Sequence, residues 1–71
     1  MTRRVLRAAS GLQAFREARP SIRREFQPGA VLNVLQWVYP NVARFTVEGE
    51  GIEVWCCQQR VFDKRTVPPA Q

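Results

Sequence analysis

AVLNVLQWVY, at residues 30–39, is the most apolar stretch of the chain. As a helix, it buries its valines and Leu35 on one side and exposes Asn33 and Gln36 on the other. As a strand, it brings Gln36 onto the face that carries most of its apolar side chains. The helical pattern is cleaner, although the three valines favour a strand, and Pro40 ends the element in either case. We therefore predict a helix here.

A second helix is predicted earlier in the chain, at the N-terminus. Its apolar positions recur at helical spacing, and they are Val5, Ala8, Leu12 and Phe15. Thr2 is a suitable N-cap, and Pro20 disfavours helical geometry at Arg19, so the helix ends there. Gly11 weakens the helix, because glycine inside a helix costs about 1 kcal/mol relative to alanine. A short helical turn is then predicted from Pro20 to Phe26.

The apolar residues change to a period of two over residues 42–62. Two alternating runs flank the sequence EGEG at residues 48–51, which is typical of a β-hairpin. The second run continues to Phe62 as a long or bent strand. The side chains expected to face the helices are Phe45, Val47, Ile52, Val54 and Cys56.

These elements predict an α+β fold, with two or three N-terminal helices packed on a C-terminal antiparallel β-hairpin. The length of 71 residues allows one small domain, which we place at residues 1–62. Residues 63–71, which end in VPPAQ, are predicted to form a flexible, disordered C-terminal tail. Because an exposed hairpin edge pairs readily with another strand, the pattern also favours a homodimer through that edge.

The positive charge is concentrated at the N-terminus. Eleven lysines and arginines against six aspartates and glutamates give a net charge of +5. Residues 1–24 hold seven arginines and one glutamate, a net charge of +6, whereas residues 25–71 hold four cations and five acids, a net charge of −1. Ten of the eleven cations are arginine, whose guanidinium forms paired hydrogen bonds with phosphate and carboxylate groups. This distribution indicates an anionic partner.

The candidate binding residues are five arginines of the predicted N-terminal helices, and they are Arg3, Arg4, Arg7, Arg23 and Arg24. Held on neighbouring helix faces, they would follow a phosphate backbone. The sequence therefore predicts a non-catalytic small basic protein that binds nucleic acid or a ribonucleoprotein. The alternative is a small protein-binding inhibitor, of a phage type directed against host defence, or an accessory subunit of a larger assembly. In that case the arginines contact an acidic protein surface and Trp55 anchors the partner.

The sequence lacks the residues that most catalytic and metal sites need. It contains no histidine, and its two cysteines, Cys56 and Cys57, are too few for a four-ligand zinc site. No phosphate-binding loop or nucleophile motif is present. The carboxylates of Glu48, Glu50 and Glu53 are expected to stay solvated near a turn. We therefore predict no enzyme activity, no metal and no cofactor.

The cysteines and the N-terminus bear on the compartment. Adjacent strand residues point to opposite faces, so we predict one buried and one partly exposed thiol, without a disulfide, in the cytoplasm or another reducing compartment. No apolar run approaches the ~18 residues of a membrane-spanning helix, so no membrane association is predicted. Residues 1–16 are arginine-rich, free of acids and amphipathic as a helix, which leaves a mitochondrial targeting segment as an alternative.

Overall fold

The computed structural model describes residues 2–7 and 9–69. This part of the chain forms seven strands and one short helix: β1 (Thr2–Leu6), β2 (Leu12–Arg16), β3 (Arg19–Phe26), β4 (Val31–Val38), β5 (Val42–Val47), β6 (Trp55–Gln58), α1 (Gln59–Arg65) and β7 (Thr66–Val67). The strands make one antiparallel sheet in the order β3-β2-β6-β5-β4-β1-β7. The sheet curves into a half-barrel.

The core lies between the concave face of the sheet and α1. Alternate residues of the strands point to this face, and the largest fully buried side chains are Leu6, Leu12, Leu32, Phe45 and Phe62. Phe62 belongs to α1, and its ring centroid lies 5.2 Å from that of Phe45. The helix is therefore held to the sheet by an aromatic contact in the middle of the core.

The predicted N-terminal helices are wrong, because β1 and β2 occupy the first of them. Ala9, between these strands, has a φ of 69°, which a helix does not allow. Leu12 and Ala14 are buried whereas Gln13 is exposed, which is the period of a strand. The two short strands resemble a helix in sequence because their apolar residues recur at helical spacing, even though β2 pairs with the nearby β3. Ala8, part of the predicted helical pattern, lies outside the described residues.

The predicted helical turn at residues 20–26 is the edge strand β3, which within the described part of the chain pairs only with β2. Ile22 and Phe26 share one face in either structure, since a spacing of four residues is close to one helical turn and is also an even number. Pro20 is compatible with a strand at this position because an edge strand has N–H groups that face no neighbouring strand.

The predicted helix over residues 30–39 is also wrong, and a β-bulge in β4 explains why. β4 pairs with β5 in regular register up to Val34, and the next paired residue is Gln36. Leu35 is therefore the extra residue of the bulge. The bulge moves Gln36 to the convex face, where its side-chain oxygen accepts a hydrogen bond from Arg44 Nη1 at 2.8 Å. A strand over these residues therefore does not place Gln36 on the apolar face, which was the argument against a strand.

The predicted architecture, in which helices pack on a C-terminal β-hairpin, is wrong. β5 and β6 are interior strands of the large sheet, and each has a neighbouring strand on both sides. The sheet edges are β3 and β7 instead. Phe45 and Val47 face the core as predicted. In the second run the alternation is shifted by one residue, so Trp55 rather than Val54 lies in the core, and Ile52 is 93% exposed.

Residues 63–67, assigned to a disordered tail by their sequence, form the end of α1 and β7. β7 pairs with β1. Thr66 is buried, and its hydroxyl donates a hydrogen bond to the carbonyl of Phe62 at 2.7 Å. Residues 70 and 71 of the predicted tail lie outside the described residues.

Candidate functional site

Five ion pairs connect the arginine-rich N-terminal third to the rest of the sheet. They are Arg3–Glu48, Arg4–Asp63, Arg16–Glu53, Arg24–Glu50 and Arg44–Glu17. In four of them the arginine comes from residues 1–24 and the carboxylate from residues 25–71. The positive charge of residues 1–24 is therefore paired largely with carboxylates of residues 25–71 in the same molecule. Because these pairs are partly exposed and screened by solvent, each contributes little to stability.

The five arginines predicted as the binding site do not share one face. Arg3 and Arg4 are adjacent in β1, and Arg23 and Arg24 are adjacent in β3. Neighbouring strand residues point to opposite faces of a sheet. In addition, four other strands separate β1 from β3. The helical face on which the prediction rested is absent.

Arg4 and Arg24 cover the margins of the core. Arg4 donates hydrogen bonds from Nε to Thr66 Oγ1 and from Nη2 to the Thr66 carbonyl, both at 3.0 Å. The Arg24 guanidinium lies 4.5 Å from the centroid of the Phe26 ring and makes two hydrogen bonds to Glu50, at 2.5 and 2.7 Å. These hydrogen bonds lower the pKa of Glu50. Both arginines are thus engaged within the fold.

Trp55, the predicted partner contact, lies in the core and is 6% exposed. Its ring meets Phe26 edge to face at 5.3 Å, and the Arg24 guanidinium lies 5.6 Å from its centroid. Its indole Nε1 has no hydrogen-bond partner among the described residues. A partner contact through Trp55 stays a prediction, and it requires the ring to leave this packing.

Four cations that form no salt bridge with a carboxylate of the described residues gather around α1, and we call them the α1 cationic surface: Arg7, Arg60, Lys64 and Arg65. Arg60 and Lys64 are exposed and one helical turn apart. The Arg7 backbone N–H donates to the Arg65 carbonyl at 2.9 Å, and Arg7 Nη1 donates to the Lys64 carbonyl at 3.2 Å. These bonds hold Arg7 against the C-terminal end of α1.

A cleft opens on the sheet where the pairing of β2 with β6 stops, and we call it the β2–β6 cleft. The two strands pair only at Phe15 with Cys56 and at Arg16 with Trp55. Beyond Phe15 their backbones separate and leave a space of about 320 Å³. The lining residues are Gln13, Ala14, Phe15, Arg23, Cys56, Cys57, Gln58 and Val61.

The cleft combines several types of side chain and contains no acid. Gln13 and Gln58 are exposed carboxamides on its two walls, and Phe15 is half-buried. Arg23, on the edge strand β3, is exposed and forms no salt bridge among the described residues. Val61 brings α1 to the same space. The cleft is therefore next to the helix that carries the α1 cationic surface.

The two cysteines are free and lie on opposite faces of β6. Both are buried, so the expectation of one partly exposed thiol is wrong. Burial, followed by the charge of Glu17, raises the pKa of Cys56, whose Sγ lies 3.8 Å from Glu17 Oε2. Burial raises the pKa of Cys57 to about 12. Both thiols stay protonated at neutral pH, which disfavours a nucleophilic role.

Exposed apolar side chains gather near the end of β4. Leu35 is 41%, Trp37 40% and Tyr39 93% exposed. β1 pairs with β4 only as far as Val34. Within the described residues, the end of β4 therefore has a neighbouring strand on one side only.

The chain matches no protein-family model, no curated protein and no solved structure. Within residues 2–7 and 9–69, no group of three or more histidine, cysteine, aspartate or glutamate residues is arranged to hold a metal ion. In the same residues, no helix is both long and apolar enough to span a membrane.

The α1 cations escaped prediction because residues 59–62 look like the continuation of a strand. The one local indication of a helix is the spacing of Arg60 and Lys64, which places both on one helix face. This indication is weak because the helix has only seven residues and no side-chain cap. The cleft had no signal at all, since it arises where two strands from distant parts of the chain separate.

Proposed function

We propose that the chain is a non-catalytic, small basic protein that binds nucleic acid, alone or within a ribonucleoprotein, through the α1 cationic surface. The observation that supports this is the division of the cations into two groups. Five arginines form ion pairs within the fold. Of the six cations that pair with no carboxylate of the described residues, four surround α1 and can meet an external anion. Lysine and arginine side chains of this kind supply most of the affinity for a phosphate backbone.

The arrangement suits a polyanion better than a single small anion. The four cations are spread along α1 and the end of β1 rather than directed at one point. Asp63 is the one acid of α1, and it lies on the side of Arg4, 4.0 Å from the Arg4 guanidinium. The Asp63 carboxylate is thus paired with Arg4, a cation of β1.

The experiment is a titration of the protein with labelled single-stranded RNA and with duplex DNA at 50 and 200 mM salt. Contact with about four phosphates gives a log–log salt slope of about −3 for a single strand and about −3.6 for a duplex. The affinity should therefore fall about 50- to 150-fold between the two salt concentrations. An affinity that is independent of salt, or no binding at 50 mM, would contradict the proposal.

A charge-matched pair of variants tests the location of the site. Arg60→Gln/Lys64→Gln removes two cations of the α1 cationic surface, and Arg3→Gln/Arg44→Gln removes two cations that form ion pairs in the fold. Both variants lower the net charge by two. We expect the first to make the salt slope shallower by about 1.5 and the second to leave it unchanged. Equal changes would show that only the net charge matters.

The second candidate function is a small protein-binding inhibitor or accessory subunit, and the exposed side chains at the end of β4 favour it. Tyr39 is 93% exposed, and an aromatic side chain next to an unpaired strand segment is typical of protein interfaces. Tyr39→Ser separates the two functions. It should leave binding to nucleic acid unchanged under the first proposal and weaken capture of an acidic protein partner under the second.

A further inference from the structure

We propose that the β2–β6 cleft receives one nucleobase of a single strand, whose phosphates are held by Arg23 on one side and Arg65 on the other. The inference rests on the proposed function and adds the type of nucleic acid and the place of base contact.

The shape of the cleft follows from the sheet. The ladder between β2 and β6 ends at the pair Phe15 and Cys56. Ala14 and Cys57, the next residues on the two strands, have small side chains that are buried at the bottom of the opening. Val61 of α1 also lines it. The result is a space of about 320 Å³, at the lower end of the ~300–1,000 Å³ of small-molecule pockets.

The side chains at the opening fit the chemistry of a base. Gln13 and Gln58 each offer a hydrogen-bond donor and an acceptor from one planar carboxamide, the group that pairs with the edge of adenine in protein–nucleic acid complexes. Phe15 presents an aromatic ring on which a base can stack. No residue that lines the cleft is acidic, and Glu17, which contacts the lining Cys56, has its carboxylate paired with Arg44.

Cations lie on both sides of this opening. Arg23 lines the cleft from β3. Arg65 lies one helical turn after Val61, and its Nη1 donates a hydrogen bond to the carbonyl of Gly11 at 2.8 Å, two residues before Gln13. A strand that crosses the cleft therefore passes from one guanidinium to the other and continues onto the α1 cationic surface.

A shallower depression beside the cleft indicates where the strand does not run. It is lined by Gln13, Arg23, Arg24 and Glu25. Glu25 is the acid that forms no salt bridge with a cation of the described residues, and its carboxylate repels phosphate. The same carboxylate also lies beside Gly11, so a strand that runs towards Arg65 passes one acid between the two guanidinium groups.

The geometry selects single strands over duplexes. In a duplex the base edges are paired and the faces are stacked, so a base reaches a pocket only after unpairing. The cleft has room for one base and is next to a cationic surface, which is the arrangement of proteins that bind single strands by stacking and backbone contacts.

The test compares three probes, each at low salt: a single-stranded RNA of about 12 nucleotides, inorganic polyphosphate as a polyanion without bases, and adenosine monophosphate. The variants are Gln13→Ala/Gln58→Ala and, separately, Phe15→Leu. Gln58 precedes α1 but caps it with no side-chain hydrogen bond, so its replacement leaves the helix intact. Gln27→Ala, at an exposed glutamine outside the cleft, is the matched control.

We expect the double glutamine variant to bind RNA about 10-fold more weakly, from the loss of two hydrogen bonds to the base, and to bind polyphosphate as the unchanged protein does. Phe15→Leu should show the same selectivity, and Gln27→Ala should have no effect. Competition by millimolar adenosine monophosphate against the RNA would indicate a free nucleotide as a second ligand of the cleft, which supports the same base contact.

Two outcomes overturn the inference while leaving the proposed function in place. One is RNA affinity that is unchanged in both cleft variants, and the other is an equal loss of RNA and polyphosphate binding. If the unchanged protein binds neither RNA nor polyphosphate, the proposed function fails and the cleft has no nucleic acid to receive. Binding of a protein in place of both probes would favour the second candidate function.

Discussion

The cations of the sheet and the cations of α1 have the same chemistry and different surroundings. Arg3, Arg16, Arg24 and Arg44 each face a carboxylate across the sheet. The α1 cationic surface has no such partners among the described residues. A run of arginines in a sequence therefore does not locate a binding surface, because the fold decides which of them are already neutralised. Replacing a cation of the first group should affect stability, and replacing one of the second should affect binding.

The largest effect is expected where the cationic helix is attached to the core. Phe62→Ala removes a fully buried ring that contacts Phe45 and Trp37. Such a change costs about 3–5 kcal/mol, which approaches the entire net stability of a domain of this size. Urea denaturation followed by tryptophan fluorescence should show a protein that is largely unfolded without denaturant.

Phe62→Leu is the control for that change, since it keeps most of the apolar volume. It should remain folded and keep the salt-dependent binding. A stable, cooperative transition in Phe62→Ala would show that α1 is not anchored through this ring.

A smaller effect separates Arg24 from Arg60. Arg24→Gln removes the two hydrogen bonds to Glu50 and the contact with the Phe26 ring, and a loss of about 1 kcal/mol of stability is expected. The salt slope of RNA binding should not change. Arg60→Gln should do the reverse, with stability unchanged within ~0.5 kcal/mol, as is usual for an exposed position. If Arg24→Gln weakens RNA binding as much as Arg60→Gln does, the division between the two groups is incorrect.

The smallest effect is expected in acid. Hydrogen bonds from arginine lower the pKa of Glu17 and of Glu50 in the folded protein. A lowered pKa contributes stability that is present above the ordinary value of 4.5 and is lost as the pH falls through the lowered value. The melting temperature should therefore be constant from pH 7 to pH 5 and decrease modestly below pH 4.

Arg44→Gln serves as the control for the acid effect, because it removes the partner that lowers the pKa of Glu17. The decrease below pH 4 should be smaller in this variant. A melting temperature that rises in acid would show that the ion pairs of the sheet do not stabilise the fold.

The sequence predicted the structure well only where the alternation of apolar and polar residues is uninterrupted. Over residues 42–47 the alternation predicts β5 and the inward side of Phe45 and Val47 correctly. In β4 a single extra residue, Leu35, reverses the pattern halfway. In the N-terminal third, β1 pairs with β4 much later in the chain. β2 pairs with the nearby β3, but its apolar residues continue the helical spacing of β1 and conceal this hairpin.

The candidate site was less predictable than the fold. The excess of positive charge and its arginine character are properties of composition, and they point to an anionic partner regardless of fold. Which arginines remain for that partner depends on pairs such as Arg3 with Glu48, which are 45 positions apart. Of the five arginines predicted from sequence, Arg7 belongs to the α1 cationic surface, Arg23 lines the cleft, and the other three form ion pairs within the fold.

The position of β6 has a consequence for the order of events during synthesis. β6 is the sixth strand in the chain, and it lies between β2 and β5, so among the strands of the described residues it alone links the β2–β3 pair to the remainder of the sheet. While the ribosome adds residues up to 54, the nascent polypeptide can form only two separate pieces with uncovered apolar faces. Folding therefore awaits Trp55–Gln58, and contacts this distant in sequence form slowly. The interval leaves the edges of β2, β5 and β1 open to aggregation or to chaperone capture.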